Sequence, residues 1–335
     1  MHIPDGVLSP EVCAGTGAIA AGAVGYSLYR LKQTASDRVV PMTGMMAAMI
    51  FAGQMVNFPI SLLGIPAVSG HLMGGVLASA ILGPWGGCVA VFLVLLVQGV
   101  LFADGGLLSL GANTLNMAVI GAWGGYGVYA VVRNRFADPA KGALIGAIVA
   151  SWLSVMAAAA LFSGEVWLSW NVPGFDFGNL FTLMVTVHSA IGVGEALITG
   201  SIVSFLLWHR RDLIVSANSL EPVKSPLGPI LATGVVVALA ICAFLAPFAS
   251  AHPDGLESVA ERTALDQKIQ EPTVLFLADY AIPLPIVGWE DVPAWRRVSV
   301  ALSGILGSLV IIAMGFLMSR SLPPKPLPAG ANDAN

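Results

Sequence analysis

Charged residues are scarce in this chain of 335 residues: only 10% are Asp, Glu, Lys or Arg, whereas 56% are hydrophobic and the mean hydropathy is +0.83. Soluble domains average about 25% charged residues, so this composition excludes an ordinary soluble protein. Cysteine is scarce too, and its three copies lie in apolar stretches without metal-type spacing. We therefore interpret Cys13, Cys88 and Cys242 as small buried side chains rather than as a disulfide framework or a zinc site.

Several signatures of catalysis are missing as well. The sequence contains no G-x-x-x-x-G-K-[ST] motif, so it does not hydrolyse ATP by the P-loop route. It contains no His-Glu-x-x-His motif and no nucleophile elbow. A cleavable signal peptide is not expected, because Pro4 and Asp5 lie where a basic segment should be. The sequence predicts a protein that binds or passes a substrate, not an enzyme.

Long apolar runs make up most of the chain. About 20 apolar residues cross a bilayer as a helix, because a spanning backbone must satisfy its own polar groups. The runs predict an all-α integral membrane protein with about nine transmembrane helices, the third of them short and either tilted or partly re-entrant. The predicted spans are 9–31, 42–63, 68–83, 86–103, 109–132, 142–163, 179–208, 227–249 and 298–319.

Lysine and arginine predict the orientation of these spans. With nine spans, only Arg262, Lys268, Arg296 and Arg297 fall on one face, and the other eleven of the 15 basic residues fall on the opposite face. Basic residues accumulate on the cytoplasmic side of membrane proteins. We therefore expect the N-terminus outside and the C-terminus inside.

The chain divides into two parts. Residues 1–211 hold seven predicted spans, and a polar linker at 212–226 leads to a two-span module at 227–319. The outside loop of that module, at 250–296, either assists substrate loading or only holds the last two spans beside the first seven. The tail at 320–335 has the composition of disorder.

The N-terminus itself is a candidate metal site. With histidine at position two, the Met1 amine, the deprotonated His2 amide and a His2 ring nitrogen can bind one ion together. Such nitrogen sites suit square-planar Ni(II) or Cu(II) better than Mg²⁺ or Ca²⁺. His71 lies near the same face and would supply a fourth nitrogen; the alternative is that it caps a span or bonds a backbone carbonyl. A chance histidine after the start codon is the alternative for His2.

Further candidates lie within the spans. His188 and Glu195 are seven residues apart, so both project from one face of a helix, as a supporting or pathway pair or as an interior hydrogen-bonded pair. Ala14, Ala18 and Gly22 repeat at four-residue spacing in the first span, which lets helices approach closely. This stripe serves either internal packing or docking of another membrane subunit.

Three separated motifs resemble the CbiM/NikM family, the substrate-capture components of energy-coupling-factor transporters for cobalt and nickel. These motifs are the N-terminal M-H-I-P-D-G, the S-G-H at 69–71 and the segment from His188 to Thr199. Residues 227–319, with P-D-G-L-E at 253–257, resemble the two-span companion CbiN/NikN fused behind it. Together the two resemblances cover nearly the whole chain.

The resemblance implies a seven-helix capture domain whose N-terminus inserts into the protein and holds Ni(II) or Co(II) as transported substrate, with no organic cofactor. Metal would be held by Met1, His2 and His71. It further implies a bacterial or archaeal plasma-membrane importer completed by a CbiQ/NikQ-like scaffold and CbiO/NikO-like ATPases, in which the capture unit topples to deliver metal for metalloenzymes or cobalamin biosynthesis.

Two other functions remain open. A self-sufficient proton-coupled transporter would use His188 and Glu195 as a proton relay, although no inverted repeat of broken helices is obvious. A metal-dependent membrane enzyme would need an open coordination position. Within the importer hypothesis, a planar site with a deprotonated amide slightly favours nickel over cobalt. Its affinity should fall below a pH of about 6.5, because binding releases protons.

Overall fold

The computed structural model describes residues 2–34, 38–61, 68–170, 175–215, 226–270, 277–283 and 292–321. Helices form most of this part of the chain, and its two strands, β1 (Phe58–Ile60) and β2 (Val68–Gly70), pair antiparallel. The α-helices are α1 (Pro10–Thr34), α2 (Val39–Gln54), α3 (Gly75–Val97), α4 (Leu110–Asn113), α5 (Gly125–Arg133), α6 (Pro139–Trp170), α7 (Phe177–His209), α8 (Asp212–Val215), α9 (Leu227–Phe244), α10 (Gly255–Thr263) and α11 (Pro293–Ser321).

Seven helical segments of the described chain are long and apolar enough to cross a membrane, which confirms the all-α integral membrane fold. Short π-helical stretches, Gln98–Phe102 and Thr114–Gly124, extend α3 and join α4 to α5. The spans are Pro10–Gln33, Gly75–Phe102, Leu110–Arg133, Pro139–Trp170, Phe177–His209, Leu227–Phe248 and Pro293–Ser321. The prediction of about nine spans, the third of them short, differs from this arrangement in two places.

The first correction concerns the predicted span 42–63. Its helix, α2, has only 16 residues and ends at Gln54, before strand β1. Pro59 cannot donate a backbone hydrogen bond, and it restricts the residue before it to extended backbone. The chain therefore leaves the helix early and forms the first strand of a hairpin.

The second correction concerns the predicted spans 68–83 and 86–103. They form one helical element that reverses at Gly83, whose φ of 74° is in the left-handed region. A Cβ added at Gly87 would lie 2.8 Å from the Ser79 backbone nitrogen, whereas residues eight apart in a straight helix are separated by about 12 Å. The arm from Gly75 to this turn is thus too short to span a bilayer of about 30 Å alone, as the expectation of a short, partly re-entrant segment allowed.

The last two long helices pack against α2. A Cβ added at Gly44 of α2 would lie 2.7 Å from Cα of Gly315 in α11, and one added at Gly304 would lie 2.9 Å from Sδ of Met55. Small residues permit this close approach of helix backbones. The contact anchors the two-span module beside the first part of the chain and brings its outside loop over the N-terminal segment.

Parts of the predicted linker and tail lie outside the described residues, namely 216–225 and 322–335. The linker begins with the short helix α8. The predicted outside loop contains helix α10, which starts in the P-D-G-L-E segment.

Candidate metal site

The N-terminal segment enters the protein and is held there by side chains of the loop and helix that follow α3. Asn113 accepts a hydrogen bond from the Ile3 amide (2.8 Å) and donates one to the Ile3 carbonyl (3.1 Å). The Asp5 carboxylate accepts hydrogen bonds from the amides of residues 107, 108 and 109 at 2.9 to 3.1 Å, immediately before α4. Anionic groups are stabilised at such a helix start. His2 is therefore carried to a defined position.

Glycines make this insertion possible. Gly6 has a φ of 90°, which an L side chain rarely adopts, so the chain can turn after Asp5. A Cβ added at Gly106 would overlap the Asp5 side chain, and the Gly106 amide donates to the Ile3 carbonyl at 2.9 Å. The N-terminal M-H-I-P-D-G motif therefore combines an anchor, Asp5, with the turn that follows it.

His2 lies among polar side chains from both parts of the chain. Its Nε2 is 3.1 Å from Oε1 of Gln98, and its Nδ1 is 3.1 Å from Oδ1 of Asp104. The other oxygen of Asp104 accepts a hydrogen bond of 2.6 Å from the Tyr280 hydroxyl. Tyr280 belongs to the two-span module and stacks on Phe102 with ring centroids 4.6 Å apart. The module thus helps to position His2.

His71 faces His2. Their rings stack with centroids 5.0 Å apart and an interplanar angle of 18°. Nδ1 of His71 is 3.1 Å from the Leu72 carbonyl, which can only accept a hydrogen bond, so Nδ1 carries the proton and Nε2 keeps its lone pair. Burial lowers the pKa of both rings to about 3. Both histidines are therefore neutral, the form that binds transition metals.

Glu195 holds the loop that carries His71. Its carboxylate accepts hydrogen bonds from the amides of Met73 (2.6 Å) and Gly74 (2.9 Å), at the start of α3. Gln54 donates to the Met73 carbonyl at 3.1 Å, so the same loop is also held from α2. The predicted pair with His188 takes another form, because each of the two side chains bonds backbone.

His188 lies on α7, seven residues and so about two helical turns before Glu195. Its Nδ1 bonds the Met184 carbonyl at 2.9 Å, while its Nε2 is buried and has no hydrogen-bond partner among the described residues. It lines a chamber of about 20 Å³ together with His71 and Asp254. A cavity of this size accommodates about one water molecule.

A larger cavity of about 830 Å³ lies on the other side of the two stacked rings. It is lined by residues of both parts of the chain, among them His2, His71, Asp104, Asp254 and Tyr280. The cavity is bordered by the N-terminal segment and by the loop of the two-span module, and carboxylates of both parts of the chain line it together with the histidines.

The remaining predicted site residues are placed differently. Met1 lies outside the described residues, and within them no three His, Cys, Asp or Glu side chains form a group that could hold a metal ion. A four-ligand site would therefore need main-chain or terminal nitrogens. The predicted docking stripe of α1 is exposed along Ala14, Ala18 and Gly22.

Sequence reasoning missed Gln98, Asp104 and Tyr280 as neighbours of His2, and Asp254 as a neighbour of His71. Asp104 directly follows the predicted span 86–103, where a polar residue carries no special signal. Only the P-D-G-L-E segment carried a signal for Asp254, and that signal was a resemblance rather than a physical argument. These contacts join residues 96 to 183 positions apart in the chain, which no local pattern predicts.

A buried pair of stacked histidines at the inserted N-terminal segment, set among seven apolar spans of the described chain, defines a multi-pass membrane protein with two side chains of a type that binds transition metals. The comparisons agree with this class. The family described as cobalt uptake substrate-specific transmembrane region matches residues 2–213, and the PDGLE domain matches residues 228–323. The chain belongs to this cobalt uptake family and carries a fused PDGLE domain, which confirms the predicted resemblance.

Relatives support the same assignment. The putative fused nickel transport protein NikMN of Archaeoglobus fulgidus is 33% identical over 96% of this chain and 98% of its own length. The cobalt transport protein CbiM of Geobacter sulfurreducens is 28% identical over 71% of this chain and 68% of its own. A crystal structure of a truncated transition metal transporter has a TM-score of 0.53 and 31% identity, covering 62% of this chain and 99% of that one. These relatives are named as transport proteins.

Proposed function

We propose that this chain is the substrate-capture component of an ATP-driven energy-coupling-factor importer for Ni(II) or Co(II), with a slight preference for nickel. The observation that carries the proposal is the stack of two buried neutral histidines, His2 and His71, with His2 one residue from the chain terminus. The insertion of the N-terminal segment places its main-chain nitrogens in the same region as the His71 ring.

The proposed ligands are the Met1 amine, the His2 amide, Nδ1 of His2 and Nε2 of His71. Binding through Nδ1 closes a six-membered chelate ring with the residue's own amide nitrogen. The neutral His2 ring has one N–H, yet it faces two acceptor oxygens, from Gln98 and Asp104. A metal at Nδ1 leaves the proton on Nε2 for Gln98, so Gln98 would select the ligating tautomer.

Four nitrogens including a deprotonated amide produce a strong, planar ligand field. Low-spin Ni(II) is stabilised by that geometry, whereas Mg²⁺ and Ca²⁺ prefer oxygen ligands. This is the basis for the slight preference for nickel. Cobalt remains a substrate of the proposed site, which supports either metalloenzyme assembly or cobalamin biosynthesis.

Uptake against a gradient requires other subunits. Because the chain has no P-loop motif, the ATPases would be separate CbiO/NikO-like proteins, joined through a CbiQ/NikQ-like membrane scaffold. The exposed stripe at Ala14, Ala18 and Gly22 is the proposed docking face. The N-terminus would lie outside, since Trp85 at the inner reversal of α3 contacts Arg30, one of the basic residues assigned to the cytoplasmic face.

The test is metal binding to the full chain, purified in detergent with only a C-terminal tag, beside a twin with two residues added before Met1. We expect stoichiometric binding of yellow, diamagnetic Ni(II) by the native form alone, read by absorption spectroscopy. The extension removes the terminal amine from its position and leaves both histidines in the chain. Equal binding by both forms would overturn the proposed ligand set.

A further inference from the structure

Two cavities meet at the P-D-G-L-E segment, residues 253–257. The outer cavity of about 830 Å³ contains His2, and the inner chamber of about 20 Å³ contains His188. His71 and Asp254 are the two described residues that line both. A cation in the outer cavity, which also contains His2, therefore has both side chains within reach.

The spacing of the pair fits a metal ion. Nε2 of His71 and Oδ2 of Asp254 are 4.0 Å apart, and the two side chains are 8% and 15% exposed. Metal–nitrogen and metal–oxygen bonds of first-row ions are about 2.0–2.2 Å long, so ligands on opposite sides of one ion stand about 4 Å apart. A cation could therefore lie between the two atoms with little movement of either residue.

Asp254 is held in this position by backbone contacts. Its Oδ1 accepts from the Glu257 amide at 2.8 Å, and Glu257 accepts from the Asp254 amide at 2.8 Å, which forms a capping box at the start of α10. The cap holds Oδ1, and Oδ2 is the oxygen that lies 4.0 Å from Nε2 of His71. The Ser69 amide donates to the Pro253 carbonyl at 2.8 Å, so the segment is also joined to β2.

The inner chamber adds a second, independent observation. A Cβ added at Gly255 would lie 3.2 Å from Nε2 of His188 and would overlap the Ile191 side chain, so only glycine lets α10 approach α7 this closely. His188 lines this chamber, and its buried Nε2 has no hydrogen-bond partner within the part of the chain that the structure describes. A water molecule in this chamber would satisfy that nitrogen and complete the coordination of an ion at the pair.

We propose that Nε2 of His71 and Oδ2 of Asp254 form a relay position, which holds a divalent transition-metal cation on its way from the outer cavity to the N-terminal nitrogens. The inference rests on the proposed function. His71 keeps the ion throughout, and the Asp254 oxygen is exchanged for nitrogens of the N-terminal segment. One nitrogen, one oxygen and water bind nickel more weakly than four nitrogens do, so the ion moves on.

The test is the rate of nickel loading by the full chain in detergent, measured by stopped-flow absorption for the native protein and for Asp254→Asn. Asparagine caps a helix about as well as aspartate, so α10 is retained while the charge is lost. We expect the association and dissociation rates each to fall about tenfold or more, because charged groups near a site raise on-rates by about 10 to 1,000-fold. The equilibrium affinity for nickel should change by no more than about threefold, because Asp254 does not bind the ion in the final site.

The matched control is Glu257→Gln, which removes the same charge from the same capping box but lies away from His71. Glutamine is accepted at that position of the box. An equal loss of rate in Glu257→Gln would mean that the effect comes from the overall negative potential of the cavity, which would overturn the relay. An unchanged loading rate in Asp254→Asn would overturn it as well. A large loss of affinity would make Asp254 a ligand of the final site, which also contradicts the relay. Absence of nickel binding by the native chain would instead refute the proposed function.

Discussion

The two histidines of the candidate site are held by different means. His2 is carried on a segment fixed by neutral and capping hydrogen bonds from the loop around residues 104–113. His71 lies in a loop whose amides bond one buried carboxylate, Glu195, and it faces a second carboxylate, Asp254, from the fused module. Each half of the site thus uses a carboxylate that binds main-chain amides: in the N-terminal half this carboxylate, Asp5, belongs to the inserted segment itself, whereas in the His71 half it is Glu195 of the distant helix α7.

The largest expected effect is the dependence of nickel affinity on pH. Since burial lowers the pKa of both His2 and His71 to about 3, neither ring releases a proton on binding above pH 5. The terminal amine, with an ordinary pKa of about 7.7–8.0, and the His2 amide each release one. Affinity should therefore fall about 100-fold for each pH unit between 6.5 and 5.

Competition titration with a chelator of known pH dependence measures this slope. A slope of about four decades per pH unit would mean that the rings titrate at an ordinary pKa of about 6.5 and are not buried. A flat profile from pH 5 to 8 would contradict an amide ligand.

Asn113→Ala tests the N-terminal half. The change leaves the buried Ile3 amide without its partner, at a cost of about 1–3 kcal/mol, whereas the Ile3 carbonyl keeps the Gly106 amide. We expect nickel affinity to fall about 30-fold, because His2 loses its defined position, with thermal stability reduced less. The matched control is Asn116→Ala on the same helix, whose side chain bonds Glu165 instead (2.8 Å). Equal losses in both variants would show that Asn113 acts only through the fold.

Glu195→Gln tests the His71 half. The glutamine keeps one acceptor oxygen but loses the charge that binds two amides, so the loop is held less tightly. Groups that orient a metal ligand typically contribute about 10- to 100-fold to affinity, and we expect a loss of about tenfold here. Isothermal titration with Ni(II) measures it. Glu165→Gln, another buried glutamate, serves as the control, and an equal loss there would remove the specific role of Glu195.

Tyr280→Phe is expected to have the smallest effect. It removes the hydroxyl that donates to Asp104 and leaves the ring stacked on Phe102. A single hydrogen bond contributes about 0.5–1.5 kcal/mol, so nickel affinity should change about threefold or less. Tyr129→Phe, in the middle of α5, is the control. A loss of nickel affinity greater than tenfold would mean that the two-span module contributes more to holding His2 than a single hydrogen bond does.

Much of the fold could be predicted because hydropathy is a local property. The apolar runs predicted the long helices, and Pro59 marks the place where the predicted second span failed. The reversal at Gly83 lies at the predicted break between the third and fourth spans, 68–83 and 86–103, where glycine and proline cluster. His2 and His71 could be singled out by residue type and position, although their stacking could not.

Composition, residue identity and sequence motifs are local properties. From them alone it follows that the chain is a helical membrane protein, that its N-terminal segment carries a histidine of the kind that binds metals, and that it lacks a P-loop motif. Only the tertiary structure decided which polar groups surround those ligands. The contacts of His2 with Gln98, of Asp104 with Tyr280 and of His71 with Asp254 arise from helix packing across the two parts of the chain. Burial, which keeps both rings neutral, is likewise a property of that packing rather than of any segment.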